Sequence, residues 1–129
     1  MEKVIKADSQ RVEAIFKDIH QNPELGFMEV RTAGIVRDEL LSLGFEVKSG
    51  IGETGVLAIL RNGEGPTVLY RADMDANAVE ETTKLPYASK VRVTMADGKE
   101  VPVAHMCGHD AHVSWMLGMA HAMVELKSQ

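Results

Sequence analysis

Two continuous apolar runs constrain the fold of this chain more than any other feature of its sequence. They occupy residues 56–60 and 67–70, and the turn-forming segment 62–66, Asn-Gly-Glu-Gly-Pro, joins them. Apolar residues that follow one another without alternation are typical of strands buried on both faces. The turn residues between them favour a hairpin. We therefore expect a sheet covered by helices on both faces, which is the layered α/β arrangement.

The segments around these runs supply the covering helices. Ser9 is placed to cap a first helix that ends before Asn22-Pro23, and a second helix over residues 32–43 stops at Gly44, a residue type favoured just beyond helix ends. A third helix closes the chain. Apolar side chains at helical spacing predict the inner face of each helix: Val12, Ile15, Phe16 and Ile19; Ala33, Val36, Leu40 and Leu43; and Val113, Met116, Leu117, Ala120 and Met123.

Shorter strands complete the predicted fold. Residues 45–47 begin one strand, and residues 91–94 and 101–103 bracket Asp97-Gly98, which is a hairpin signal in which Pro102 favours an edge position. The predicted fold class is α/β, a three-layer mixed sheet with flanking helices.

Composition excludes several classes of protein. The 129 residues carry a net charge of −5 and no run of Lys or Arg, which argues against nucleic acid or an anionic membrane as the partner. No apolar run reaches membrane length. The single Cys cannot form an internal disulfide, which indicates a reducing, cytoplasmic setting.

The segment 105–112, His-Met-Cys-Gly-His-Asp-Ala-His, predicts a metal site. Three imidazoles, a carboxylate and the only thiol of the chain lie within it, directly before the last helix. Alternate side chains of an extended segment share a face, so His105, Cys107 and His109 can point the same way. A thiolate beside imidazoles suits zinc or a neighbouring transition metal.

Other interpretations of the same segment stay open. A single Cys or His is more often a buried or hydrogen-bonded structural residue, although the clustering here favours a metal or catalytic site. Cys107 is also a candidate nucleophile, because Asp110 is placed to cap the last helix, whose positive end would lower the pKa of a nearby thiol.

A second polar cluster follows the run 67–70. Arg71, Asp73 and Asp75 come where α/β sheets place ligands, at the carboxyl end of a strand. A charged loop with carboxylates that accept backbone hydrogen bonds is an equally good interpretation. If the segment 105–112 lies nearby, one carboxylate can orient a ligating imidazole.

Five motifs together resemble the amidohydrolase branch of the metal-dependent aminoacylase and carboxypeptidase superfamily, which includes hippurate hydrolases and indole-acetyl-amino-acid hydrolases. They are residues 19–27, 50–56, 71–76, 85–89 and 105–110. The resemblance implies that Cys107 and His109 are metal ligands and that Asp75 is a supporting carboxylate. It also implies two divalent ions, zinc or manganese, and a metal-activated water that cleaves the amide bond of N-acyl amino acids or similar small amides.

The resemblance also implies what the chain lacks. The family's general-base Glu and its further ligands come from a later part of a longer chain, and Glu125 is the only acidic residue after Asp110. We therefore expect residues 1–129 to be the N-terminal part of a metallopeptidase-like, zinc-exopeptidase-like catalytic domain, without a lid or dimerisation domain and inactive alone. Two departures from the family pattern, Met106 and Asn77-Ala78, affect the loops beside the site.

The clustered imidazoles also favour an alternative function. This is a non-enzymatic metal-binding or assembly module of α/β fold, in which His105 or His112 completes the ligand set. A sheet that lacks part of its cover exposes an apolar face or an open strand edge, so we expect a tendency to form homo-oligomers.

Overall fold

The computed structural model describes residues 2–127 and has the predicted α/β character, with three helices and two small sheets. The predicted domain spans 1–129, of which residues 1, 128 and 129 lie outside the described residues. None of the described helices is long and apolar enough to span a membrane. The elements follow in the order α1 (Glu2–Gln21), α2 (Val30–Ser42), β1 (Glu46–Ile51), β2 (Gly55–Ile59), β3 (Arg92–Thr94), β4 (Glu100–Pro102) and α3 (His109–Glu125).

Helix α1 begins earlier than the sequence analysis predicted. Ser9 lies inside the helix, and its hydroxyl donates to the carbonyl of Lys6 at 2.9 Å instead of capping the first turn. The residues before Ser9 include neither Gly nor Pro, so nothing in the sequence stops the helix there. The end of the helix before Pro23 is as predicted.

Helix α2 is held at both ends by specific contacts. Its N-cap residue, Glu29, makes no capping bond, but the carboxylate of Glu24 accepts the backbone N–H groups of Arg31 at 2.9 Å and Thr32 at 2.7 Å. These are two of the donors that a helix start leaves unpaired. After the helix Gly44 has φ = 82°, the left-handed conformation that the sequence predicted for a terminating glycine.

The three helices form the core. The central cluster contains only side chains predicted from helical spacing, with one from the end of α1, two from α2 and three from α3. Helices α1 and α3 approach closely, because a Cβ atom on Gly118 would lie 3.1 Å from Cγ2 of Val12. The central cluster consists of Ile19, Val36, Leu40, Val113, Leu117 and Ala120.

The first predicted hairpin is wrong. Strand β2 pairs antiparallel with the preceding strand β1, and residues 67–70 form no strand; Val68 and Leu69 are 85% and 83% exposed. A turn over residues 52–54 brings β1 alongside β2 at a lower loop-closure cost than the longer segment 60–66 would require. The apolar run at 67–70 is therefore left on the surface.

The second predicted hairpin is confirmed. Strands β3 and β4 pair antiparallel, with Thr94 opposite Glu100 and Arg92 opposite Pro102. Gly98 has φ = 80° in the turn, and Asp97 Oδ1 accepts the backbone N–H of Lys99 at 3.0 Å. Pro102 lies in a two-stranded sheet, where both strands are edges.

The expected single mixed sheet is represented by two separate two-stranded antiparallel sheets within the described residues. Two isolated bridges lie between them: Leu25 pairs with Ala76 in parallel, and Asn77 pairs with Ala104 in antiparallel orientation. The run 67–70 pairs with neither of these sheets. The bridges nevertheless fix the segment that carries Asp75.

Candidate metal centre

Backbone pairing brings Asp75 to the start of the segment 105–112. The N–H of Ala76 donates to the carbonyl of Glu24 at 2.7 Å, and Asn77 and Ala104 exchange two backbone hydrogen bonds of 3.0 Å. Asn77, one of the departures from the family pattern, is thus held by its backbone on the strand-like segment that leads to His105. Residues far apart in sequence become neighbours at this point.

His109 and Asp75 form the central contact of the site. His109 Nδ1 lies 2.8 Å from the carbonyl oxygen of Asp75 and 3.0 Å from its Oδ1 atom. Both oxygens accept hydrogen bonds, so Nδ1 must be the donor, and in the neutral ring the lone pair is on Nε2. The contact therefore fixes the tautomer that leaves Nε2 available to a metal ion.

Cys107 lies on the surface two residues before His109. Gly108 between them has φ = 77° and is the N-cap residue of α3, so the prediction that Asp110 caps this helix was wrong. A glycine adopts this left-handed conformation without steric cost, and the chain turns from the extended segment into the helix within one residue. Within residues 2–127 no hydrogen bond joins the Cys107 thiol to an imidazole, and therefore no Cys–His pair of the kind that activates a nucleophile is formed.

His105 is buried and has no hydrogen-bond partner for its ring among the described residues. Its side chain is 4% exposed, and neither ring nitrogen makes a hydrogen bond. Burial lowers the pKa of His105, because the charged form loses its hydration. The ring is therefore neutral near pH 7, and it holds one unpaired donor and one unpaired acceptor next to the candidate site.

A second histidine, His20, is bound between two carboxylates. Its Nδ1 lies 2.6 Å from Asp110 Oδ2, and its Nε2 lies 3.0 Å from Glu81 Oε1; all three side chains are less than 10% exposed. Burial lowers the pKa of His20, but the hydrogen bonds to Glu81 and Asp110 outweigh it, so the pKa is raised. Glu81 also accepts the backbone N–H of Ser89 at 2.5 Å. Burial raises the pKa of Glu81, but its hydrogen bonds outweigh this effect, so the pKa is lowered.

Sequence reasoning assigned no role to His20 or Glu81. The position of His20 in the sequence could have indicated its burial. It directly follows Ile19 on the buried face of α1, where a polar side chain must find a hydrogen-bond partner. Glu81 lies in a segment without regular structure, and nothing in its local sequence indicates burial.

The remaining candidates lie on the surface around the site. Asp73 accepts a hydrogen bond from the exposed guanidinium of Arg71, and within residues 2–127 it makes no hydrogen bond or ion pair with the segment 105–112, as expected for a charged loop. The ring of His112 lies 5.4 Å from that of His109 and 5.9 Å from that of Trp115. The structure therefore brings Asp75 and His109 together and leaves Asp73 apart.

An apolar groove of about 740 Å³ runs between α1 and α3. The sequence analysis assigned Met123 to the core, but it is 46% exposed and lines this groove with Met119 and the exposed Trp115. Phe16 of α1 forms the opposite wall. This is the exposed apolar face that was expected.

The donor atoms suit a divalent metal but form an incomplete set. His109 offers Nε2 and Cys107 offers an exposed sulfur, which are common zinc ligands. Among the described residues no group of three His, Cys, Asp or Glu side chains is placed to hold a metal ion. A catalytic site needs at least one more protein ligand.

Comparisons with known proteins identify the relatives of this chain. Residues 69–129, which contain Asp75, Cys107 and His109, match the model of peptidase family M20/M25/M40. The chain is 41% identical over 129 residues to thermostable carboxypeptidase 2 of Saccharolobus solfataricus, with 95% of this chain and 30% of that protein covered. It is 43% identical over 106 residues to hippurate hydrolase of Campylobacter jejuni, with 81% and 25% covered.

Solved structures show the same relationship. The crystal structure of the Bacillus subtilis YXEP protein, described as a dinuclear metal-binding peptidase from the M20 family, has a TM-score of 0.81 and 34% identity, with 95% of this chain and 33% of that chain covered. The structure of an aminohydrolase described as putative, from methicillin-resistant Staphylococcus aureus, has a TM-score of 0.83 and 31% identity, with 98% and 32% covered. The chain thus spans about a third of the length of these relatives. By sequence and by fold, it belongs to peptidase family M20/M25/M40.

Proposed function

We propose that this chain contributes Cys107 and His109 to a divalent-metal site that cleaves the amide bond of N-acyl amino acids or similar small amides. The observation that carries the proposal is the contact between His109 Nδ1 and Asp75, at 2.8 and 3.0 Å, which leaves Nε2 free. A carboxylate that orients a histidine in this way is a recurrent feature of metal sites.

The metal would supply Lewis acidity and would lower the pKa of a coordinated water. Residues of this chain would hold the metal ion. Asp75 keeps the His109 imidazole in one tautomer. Gly108 lies between the Cys107 thiol and the His109 imidazole, at the turn into α3. The Bacillus subtilis relative is described as dinuclear, and we propose two ions, zinc or manganese, for the complete site.

The substrate class follows from the relatives. Hippurate hydrolase and the carboxypeptidase act, by their names, on an N-acyl amino acid and on peptide ends. We propose a substrate of the same kind and, from the single cysteine, a cytoplasmic location. Because two ligands do not complete a catalytic site, we propose that residues 1–129 are inactive alone.

Metal titration tests the proposal. Zinc and manganese binding would be measured by calorimetry and elemental analysis for the wild type and for Cys107→Ala and His109→Ala. His121→Ala is the matched control, since His121 lies in another part of α3, where its ring faces Asp8 of α1. We expect binding in the wild type and the control and its loss in the other two variants.

Two results would contradict this proposal. Equal metal binding in all four proteins would show that Cys107 and His109 are not ligands. Hydrolysis of an N-acyl amino acid by the purified chain, sensitive to a chelator and abolished by His109→Ala, would contradict the inactive-alone statement while supporting the site.

A second candidate is a metal-binding module without catalysis. The buried, unpaired ring of His105 favours it, because a ligand or water must satisfy nitrogens that have no protein partner. If His105 supplies the missing ligand, His105→Ala will reduce the bound metal to the same extent as His109→Ala. Unchanged stoichiometry in His105→Ala would remove this candidate.

A further inference from the structure

We propose that His20 is a positioning residue that holds the first turn of α3, and with it the segment 107–109, through a charged hydrogen bond to Asp110. The inference rests on the proposed metal site at Cys107 and His109. It concerns residues that no sequence motif connected, since His20 and Asp110 are 90 positions apart.

The geometry points to a doubly protonated ring. Asp110 Oδ2 and Glu81 Oε1 lie 2.6 and 3.0 Å from the two nitrogens of His20, and an ionised carboxylate only accepts hydrogen bonds. With both carboxylates ionised, both nitrogens donate, and His20 is an imidazolium between two anions. Such charge-assisted bonds are shorter and stronger than neutral ones.

Aromatic rings enclose this cation. The centroid of the His20 ring lies 5.6 Å from that of Phe16 and 5.4 Å from that of Tyr87, which meets it edge to face. The apolar surround excludes water from the two bonds and strengthens them. His20 is thus held at the end of α1 by two carboxylates and two aromatic rings.

Asp110 transmits this position to the metal-binding segment. Its Oδ1 accepts the backbone N–H of Ala111 at 2.9 Å, and its carbonyl accepts the hydroxyl of Ser114 at 2.7 Å, so the carboxylate is rigidly attached to the first turn of α3. Gly108, the N-cap residue, offers no side chain to hold this turn. The bond from His20 therefore holds the first turn, which carries the backbone of His109, while Asp75 contacts the His109 ring directly.

Ring NMR of the wild type tests the charge state without any substitution. Nitrogen-15 shifts of His20 at pH 7 are expected to show both nitrogens protonated. A neutral ring with one unprotonated nitrogen would overturn the proposal.

A pair of variants then separates positioning from general stability. His20→Gln removes the ring that bonds to Asp110, and Leu40→Ala removes core volume on α2 without removing any hydrogen bond of the site, at a similar or larger cost in stability. In His20→Gln we expect loss of the downfield Nδ1 proton of His109 and about tenfold weaker zinc binding, as when the support of a metal ligand is removed. In Leu40→Ala both readouts are expected to match the wild type.

The outcomes distinguish this inference from the proposed function. Equal changes in both variants, or none in His20→Gln, would overturn the positioning role. If the wild type takes up no zinc, the proposed metal site fails, and the Nδ1 proton of His109 still decides whether His20 orients that ring. If His20→Gln does not fold, the charge state of the wild-type ring decides.

Discussion

At the scale of single residues, the candidate site combines identities that a sequence reveals with contacts that it does not. Cys107 and His109 were selected because a thiol and imidazoles at this spacing suit a metal, and Asp75 was selected by position and family resemblance. His20 and Glu81 were missed because their burial depends on partners 90 and 61 positions away. Local spacing carries no information about such pairs.

The carboxylate of Asp75 provides a sharp test at this scale. Asp75→Asn removes the charge that orients His109, and we expect metal affinity to fall about 10- to 100-fold. Asp73→Asn is the matched control, because Asp73 pairs with the exposed Arg71. Calorimetric titration with zinc would measure both, and an equal loss in the two variants would assign the effect to general charge rather than to the His109 contact.

The His20 cluster predicts how stability depends on pH. A raised pKa means that the contribution of His20 is complete below its ordinary pKa of 6.5 and is lost as the pH rises through the folded-state value. The lowered pKa of Glu81 means that its contribution is complete above 4.5 and is lost as the pH falls through its folded-state value. The two contributions are therefore both complete between pH 4.5 and 6.5.

Chemical denaturation across pH would measure this dependence. The groups that face His20 are Glu81 from the segment before β3 and Asp110 from α3, with the neutral His105 nearby. Between pH 6.5 and the folded-state pKa of His20 we expect the free energy of unfolding to fall by up to about 1.4 kcal/mol per pH unit. His20→Gln should remove this slope, and an unchanged slope in that variant would assign it to another group.

At the scale of elements, helices were easier to predict than strand pairing. The apolar stripes of α1, α2 and α3 lie within single segments, and the cluster from Ile19 to Ala120 contains only positions named from them. Strand pairing depends on which segment arrives first at an open edge. The short turn at 52–54 pairs β1 with β2, whereas the run 67–70, expected to pair with β2, forms no strand.

Two glycines, one inside α2 and one just after it, give opposite predictions for the effect of a Gly→Ala substitution on stability. Gly44 has φ = 82°, and a Cβ atom there would touch nothing, so Gly44→Ala should cost about 1 kcal/mol through backbone strain alone. Gly34 lies inside α2, where a Cβ atom also meets nothing within 4 Å. Gly34→Ala should therefore stabilise the protein by about 0.5 to 1 kcal/mol.

Thermal or urea denaturation of both variants would measure the difference. The two substitutions add the same methyl group, so hydrophobic transfer is matched and backbone conformation is the variable. Stabilisation by Gly44→Ala would show that the left-handed turn after α2 is not retained in solution.

At the scale of the whole molecule, the groove between α1 and α3 leaves apolar surface in contact with water. Trp115, Met119 and Met123 line it, and Trp115 is 62% exposed. Patches of this kind mark interaction surfaces in soluble proteins. We expect the chain to associate as its concentration rises and the emission of its single tryptophan to shift to shorter wavelength.

Sedimentation velocity with Met123→Glu would test this expectation. A charge in the groove should weaken association, whereas Leu41→Glu, which places the same charge on an exposed part of α2 outside the groove, should leave it unchanged. A chain that stays monomeric at high concentration, with unshifted emission, would contradict the prediction.

The bonds that hold the site also set the order in which it can form. His109 meets Asp75 across 34 positions and His20 meets Asp110 across 90, so each contact closes a long loop, and closing long loops is slow. During synthesis α1 is released well before its partner on α3 exists. The metal-binding segment is therefore among the last parts of this chain to take shape, and the bond between His20 and Asp110 cannot form until residue 110 has emerged.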